Sequence, residues 1–266
     1  MILNELSFKS KENAADIEEC LAGAEMNRKQ RRQISSITKG EAFRGWLGEQ
    51  SGSSTLIVYG NMEIDACISP ISFLTSTIGK YCKERGFIVL SYFCGLHGES
   101  DSYDILRTMI GQLLSQAELM VGSSLTISRN EFKGIKRRSL RTLNSLFAGL
   151  IEQLSSHRIR VVCLINTIST FETSEKVRET KSILSSLCRV ARSLHAGKRG
   201  HSRSEMILKL LISDGQTSGI AHRYVKEDEI IEILEDAEEA SDDELGIASE
   251  DIDEATGSSI SSDEDD

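Results

Sequence analysis

Four short runs of consecutive apolar residues stand out along the chain: Leu56 to Tyr59 (LIVY), Phe87 to Phe93 (FIVLSYF), Arg160 to Ile165 (RVVCLI) and Leu208 to Ser213 (LKLLIS). They are continuous rather than alternating, which predicts strands covered on both faces in a parallel sheet. Helical spacing fills the intervals. Ile68, Ile71, Leu74 and Ile78 recur at three and four, as do Ile105 to Leu114 and Leu140 to Leu154, and a further helix carries Ile183, Leu184, Leu187, Ala191 and Leu194. Strand and helix alternating with crossovers of this length predict a doubly wound, three-layer α/β/α sandwich with a mainly parallel sheet. Such sheets bind ligands beyond the carboxyl ends of their strands, so the loops after Tyr59, Phe93, Ile165 and Ser213 should form one rim.

The pattern also divides the chain into a helical N-terminal segment (1–50), an α/β domain (51–234) and a tail (235–266). Ahead of the first strand, a basic cluster (Arg28, Lys29, Arg31, Arg32) is followed by AFRGWL, read as a helix that lays Phe43, Trp46 and Leu47 on the sheet edge. Residues 227–266 hold 19 Asp/Glu and no Lys or Arg, so the preceding part carries 31 − (41 − 19) = +9. The tail is too acidic and too poor in apolar residues to offset its ordering entropy, and disorder is expected there. Its Ser241 and Ser262, each with an acid three positions on, suit acidophilic kinases.

A single proline and 5% aromatics argue against a sandwich of short strands or a barrel. The six cysteines form no C-x-x-C pair and fall mostly in apolar runs, so disulfides and a zinc site are not expected. No leader pattern and no membrane-length apolar span are visible, and the expected location is cytoplasmic, with the nucleus as the alternative.

The stretch after the first strand is where an α/β chain places a phosphate loop. A G-x-x-x-x-G-K-[ST] frame laid on Gly60 puts Asp65 at the second glycine, Ala66 at the lysine and Cys67 at the hydroxyl position. Only the first glycine survives. The lost lysine removes the compact cation, and Asp65 would bring like charge towards a phosphate, a repulsion of several kcal/mol at an effective dielectric of about 20. The third apolar run ends on Asn166, where a strand of this type would end on a magnesium-binding Asp; a neutral amide is a poor ligand for a hard cation. The candidate nucleotide-site positions are therefore Gly60, Asn61, Asp65, Ala66, Cys67 and Asn166, in degenerate form.

The ordered segments AFRGWL, LIVYGNMEIDACISPISFL, FIVLSYFCGLH, ILRTMIGQLL, VVCLINTISTFE and LKLLISDG resemble the nucleotide-binding domain of fungal STAND-type NTPases, the NACHT-like group with nephrocystin-type N-terminal regions. The similarity covers approximately residues 20 to 225. It implies a P-loop NTPase-like sandwich that binds ATP or GTP and switches between resting and assembled states. Gly60 matches the family's first loop glycine, whereas Asp65, Ala66, Cys67 and Asn166 depart from the active form.

Other groupings are weaker. Cys94 and His97 lack a third, orienting group, so Cys94 is expected to be buried and His97 to bond neighbouring loops. The clusters Lys133 to Arg141 and Lys198 to Arg203 lack interleaved aromatics for base stacking, and nucleic acid is not an expected ligand. The reading is an interaction or regulatory module derived from a NACHT-like NTPase, with no catalytic residue, no metal and no NTP hydrolysis. Its expected partners are proteins, including related NTPase-domain proteins, and the acidic tail is expected to meet basic surfaces, its own domain's among them. The alternatives are a signalling switch that binds ATP or GTP weakly with Mg²⁺, and an acidic-tailed nuclear binding protein.

Overall fold

The computed structural model describes residues 2–6, 8, 10–23, 26–48, 52–61, 68–122, 125–196 and 206–233. The basic stretch 198–203, the tail 235–266 and Asp65, Ala66 and Cys67 lie outside the described residues.

Strands β1 (Ser54–Tyr59), β2 (Ile88–Phe93), β3 (Arg160–Asn166), β4 (Ile207–Asp214) and β5 (Ile230–Glu232) form one sheet in the order β2-β3-β4-β1-β5, and every pair is parallel. The four apolar runs are β1 to β4, each within a residue or two of its expected bounds. β5 was not expected: its Ile230–Glu232 is three residues long and follows an acidic turn, too short for a pattern to register. It pairs Ile57 with Ile230 and Tyr59 with Glu232.

Within each run, successive side chains point to opposite faces, and both faces are covered. Ile57, Tyr59, Leu90, Cys163, Ile165, Leu210 and Ile212 join one core, under α6 (Tyr103–Val121), α8 (Leu140–Leu154) and α9 (Val177–Ala196). Leu56, Val58, Val89, Val162, Leu164 and Leu211 join the other, under α3 (Arg28–Lys39), α4 (Glu41–Gly48) and α5 (Pro70–Glu84). Phe43, Trp46 and Leu47 of α4 are buried in this second core, beside β1 and the edge strand β5. The remaining helices are α1 (Ile2–Glu5), α2 (Ser10–Gly23) and α7 (Arg129–Lys136). Ile68 does not join the helix its spacing suggested; α5 starts at Pro70, and Ile68 packs against Gly23 of α2, where a Cβ would come within 2.5 Å of its Cδ1. No helix among the described residues is long and apolar enough to cross a membrane.

The β2 edge of the sheet is closed by side chains. Gln112 of α6 accepts from the Ser91 N–H at 2.7 Å and donates to the Ser91 carbonyl at 3.0 Å. One turn on, Gln116 does the same to Val89, at 3.1 and 2.8 Å. Two amides spaced i, i+4 lie on one helix face, so they substitute for the neighbouring strand that β2 lacks. An edge blocked in this way offers no template to another chain.

Replacing Gln112 by Leu leaves a buried donor and acceptor of Ser91 without partners, at about 1–3 kcal/mol for each group. The expected result is a lower denaturation midpoint with an unchanged slope, and a smaller loss for Gln116→Leu, which is less buried.

Candidate functional site

The chain leaves β1 and crosses β4 and β3 to reach β2, whereas from β4 it passes β1 to reach β5. The two connections diverge between β1 and β4, so the topological switch point, where α/β sheets hold ligands, lies beyond Tyr59 and Asp214. These residues are register partners, and the Gly60 N–H donates to the Asp214 carbonyl at 2.8 Å. Asn61 follows with φ 42°, in the left-handed region. Its Nδ2 donates to the Ile233 carbonyl at 3.0 Å, and Thr217 Oγ1 donates to its Oδ1 at 3.3 Å. The Asn61 side chain thus ties β1 to the ends of β4 and β5.

Asn166, at the end of β3, is 2% exposed and sits at the centre of a chain of hydroxyls. Ser72 Oγ donates to its Oδ1 at 2.8 Å, and its Nδ2 donates to Ser213 Oγ at 3.0 Å. Ser213 lies 2.7 Å from Thr75 Oγ1, which donates to the Ile71 carbonyl. On the other side, Ser69 Oγ lies 2.9 Å from Ser72 Oγ. Each hydroxyl has one proton, so the bonds run one way: Ser69 to Ser72 to the Asn166 oxygen, then from the Asn166 nitrogen to Ser213, Thr75 and Ile71. An amide both accepts and donates and can join the two halves. A carboxylate could only accept, and would turn the second half around.

The next residue is strained. Thr167 has φ 56° and ψ 48°, an uncommon conformation for a β-branched residue, at a cost of about 1–3 kcal/mol. It is held by its N–H to the Ser213 carbonyl at 2.7 Å and its Oγ1 to Asn166 Oδ1 at 2.9 Å.

Two carboxylates complete the rim. Asp214 is fully buried and accepts from the Ser169 N–H at 2.7 Å, Ser169 Oγ at 2.9 Å and the Gln216 N–H at 3.1 Å. Burial pushes its pKa above the ordinary carboxylate range, and the three hydrogen bonds hold that rise back. Glu172 accepts from the Ser218 hydroxyl and from the N–H groups of Gly219 and Ile220, both at 3.2 Å. Backbone donors that could have met a bound anion are satisfied by the protein's own acids. At the first turn of α5, Ser69 Oγ accepts from the Ser72 N–H at 3.1 Å, and Pro70 has no N–H to offer.

Of the positions suggested by sequence, Gly60, Asn61 and Asn166 lie on this rim, and Asp65, Ala66 and Cys67 lie outside the described residues. The hydroxyl that reaches Asn166 from the helix is Ser72, five positions beyond Cys67. Sequence reasoning missed Ser69, Ser72, Thr75, Ser213 and Asp214. The available signal was a row of hydroxyls at 69, 72 and 75, spaced by three between the apolar residues of α5.

Cys94 is fully buried, as expected, and desolvation raises its thiol pKa. The expectation for His97 needs correction: its Nε2 meets Asp16 Oδ2 of α2 at 2.9 Å, and its ring lies against Tyr92. With the ring turned to a helix and the thiol held neutral, the two do not form a nucleophile–base pair. Cys20, Cys82, Cys163 and Cys188 are buried free thiols, and burial lifts Cys82 to about 12.

The family model described as nephrocystin 3, N-terminal, matches residues 33–213, more than half of the chain. No curated protein and no solved structure matches the chain significantly.

Asp214→Asn tests the rim. One of the N–H groups now facing a carboxylate oxygen would face an NH₂, so a loss of about 1–3 kcal/mol is expected at neutral pH. Because the folded pKa of Asp214 is raised, its titration favours the folded state most below the unfolded pKa, and that contribution is lost as pH rises through the folded value. The wild type's advantage over Asp214→Asn in urea denaturation should therefore shrink with rising pH across this window.

Proposed function

Because the chain belongs to the nephrocystin 3 N-terminal family, we propose that it serves as a NACHT-like, STAND-type interaction or regulatory module whose nucleotide chemistry has been replaced by internal bonding. In a P-loop NTPase, a hydroxyl from the loop and an acid at the end of the third strand together hold Mg²⁺ against the phosphates. Here Ser72, five positions beyond the frame's hydroxyl position, bonds to Asn166 at 2.8 Å. Both are committed to each other and to Ser213 and Ser69, and neither carries charge. These residues do not fit a divalent cation, which calls for anionic or carbonyl oxygens with open lone pairs.

The observation that carries the reading is this closed chain of hydroxyls through Asn166. Asp214 and Glu172 support it, since two acids stand where phosphate would approach. A second reading, a switch that binds ATP or GTP weakly, draws on one feature: Gly60 leaves β1 at the switch point and the chain returns as α5 beside Asn166, the path a phosphate loop takes. On that reading, amides after Gly60 would bind phosphate without a lysine. On either reading, the signal would be passed through protein partners.

Thermal unfolding with and without millimolar Mg-ATP or Mg-GTP separates the two. A ligand at 100 times its Kd adds about 2.7 kcal/mol, a shift of several degrees for a domain of this size. The module reading expects no shift with either nucleotide. A saturable shift of that size would establish the switch in its place.

A further inference from the structure

We propose that the cavity at the amino end of β1 seats an uncharged, extended peptide segment of a protein partner, which continues the sheet ahead of β5. β5 pairs only with Ile57 to Tyr59, so β1 begins with Ser54 to Leu56 unaccompanied on that side. Tyr59 gives its carbonyl to the Ile233 N–H on the β5 side, and the next residue, Gly60, gives its N–H to Asp214 on the β4 side. Backbone groups alternate in direction along a strand, so Thr55, like Ile57 and Tyr59, turns its N–H and C=O to the β5 side, where the gap lies. Where a longer β5 would have met them, Glu229 turns its N–H back to the Lys226 carbonyl at 3.0 Å. Among the described residues, no backbone bond reaches Thr55 on this side.

The gap is a cavity of about 360 Å³, within the size range of ligand pockets. α4 walls it on one face of the sheet with Ala42 and Trp46, and α9 on the other with Ala191 and His195. Both pairs are spaced i, i+4, so each helix brings one small residue and one ring to the cavity along a single face. Strands direct successive side chains to opposite faces. A segment bound to Thr55 would therefore set one side chain beside Trp46 and the next beside Ala191. On the same wall, Trp46 Nε1 is buried without a hydrogen-bond partner among the described residues, a second group whose bond is still to be made.

The charge of the lining selects the occupant. Arg192 and Lys226 are matched in number by Asp228 and Glu229, and part of this charge is spent internally. Glu229 accepts from the Lys226 N–H at 2.9 Å and lies 3.9 Å from the Arg192 guanidinium, which also donates to the Tyr224 carbonyl. A polyphosphate would meet two carboxylates here, and a basic peptide two cations. A peptide group has one donor, one acceptor and no net charge, which is what an open strand edge takes. The cavity lies at the opposite end of β1 from the rim, so the proposal does not depend on how the rim is read.

Trp46 is the chain's single tryptophan, so its emission reports on the cavity wall. The probe is acetyl-valyl-alanyl-valinamide, titrated to millimolar concentrations into the full chain. A saturable change in emission is expected, together with slower hydrogen exchange at the Thr55 amide. The same tripeptide N-methylated at every backbone nitrogen should bind roughly tenfold more weakly, because it leaves the Thr55 carbonyl without a donor. Ala42 is exposed at the mouth of the cavity, so Ala42→Phe should keep the wild-type melting temperature and lose most of the binding. The proposal is overturned by an emission that does not respond or does not saturate, or that responds to Mg-ATP and not to the peptide. It is overturned equally by an N-methylated probe that binds as well as its parent, or by folded Ala42→Phe that binds as the wild type does. Strong protection of the Thr55 amide in the free chain would overturn it as well: if independent of concentration, the chain's own backbone fills the gap, and if it grows with concentration, a second copy does.

Discussion

A sheet of parallel strands has no face to give to water, because its crossover helices must lie on both sides, and each central strand has to be apolar in both directions. In this chain Leu56, Ile57 and Val58 are divided between two cores by the alternation of the backbone, as are Leu210, Leu211 and Ile212. Polar side chains are therefore largely confined to the ends of the strands. At the amino end Lys209 reaches Ser54 Oγ at 3.1 Å. At the carboxyl end Asn166, Ser213 and Asp214 gather within bonding distance of one another or of their common neighbours. The rim is where the fold allows chemistry.

The rim is neutral at the centre and acidic at the side. Burying an unpaired polar group costs free energy, and a half-satisfied network is worse than none. The hydroxyls of Ser69, Ser72, Ser213 and Thr75 are satisfied in series because Asn166 supplies both a donor and an acceptor. A residue that looks in isolation like a damaged metal ligand is, in its surroundings, a well-matched connector. Asp214 and Glu172 play the corresponding part for backbone amides, pinning the turn after β3 to the turn after β4.

The family match begins at Gln33, inside α3, and ends at Ser213, one residue before Asp214. It contains the whole hydroxyl chain. The acid at the end of β4, the edge strand β5 and the acidic C-terminal residues lie beyond it, as does the basic start of α3. The acidic C-terminal residues and the basic start of α3 thus flank the matched span.

Particular residues show what could be read without coordinates. The four apolar runs specified four strands, and the periods around Leu143 and Ile183 specified helices, because continuous burial and 3.6-residue spacing are local properties written directly in residue order. The charge division was equally legible, being a matter of counting. At Asn166 the sequence placed a neutral amide at the end of a strand, but not what that amide bonds to. Its partners are 94 and 47 positions away, and only the folded sheet brings Ser72 and Ser213 to it. β5 was invisible for the same reason: three residues become a strand only because Ile57 to Tyr59 is already in place beside them. Residue order determined the layers and their periods. Tertiary structure decided the order of the strands and the partners of each polar group, since hydrogen bonding at a strand end depends on neighbours that adjacency in the chain does not supply.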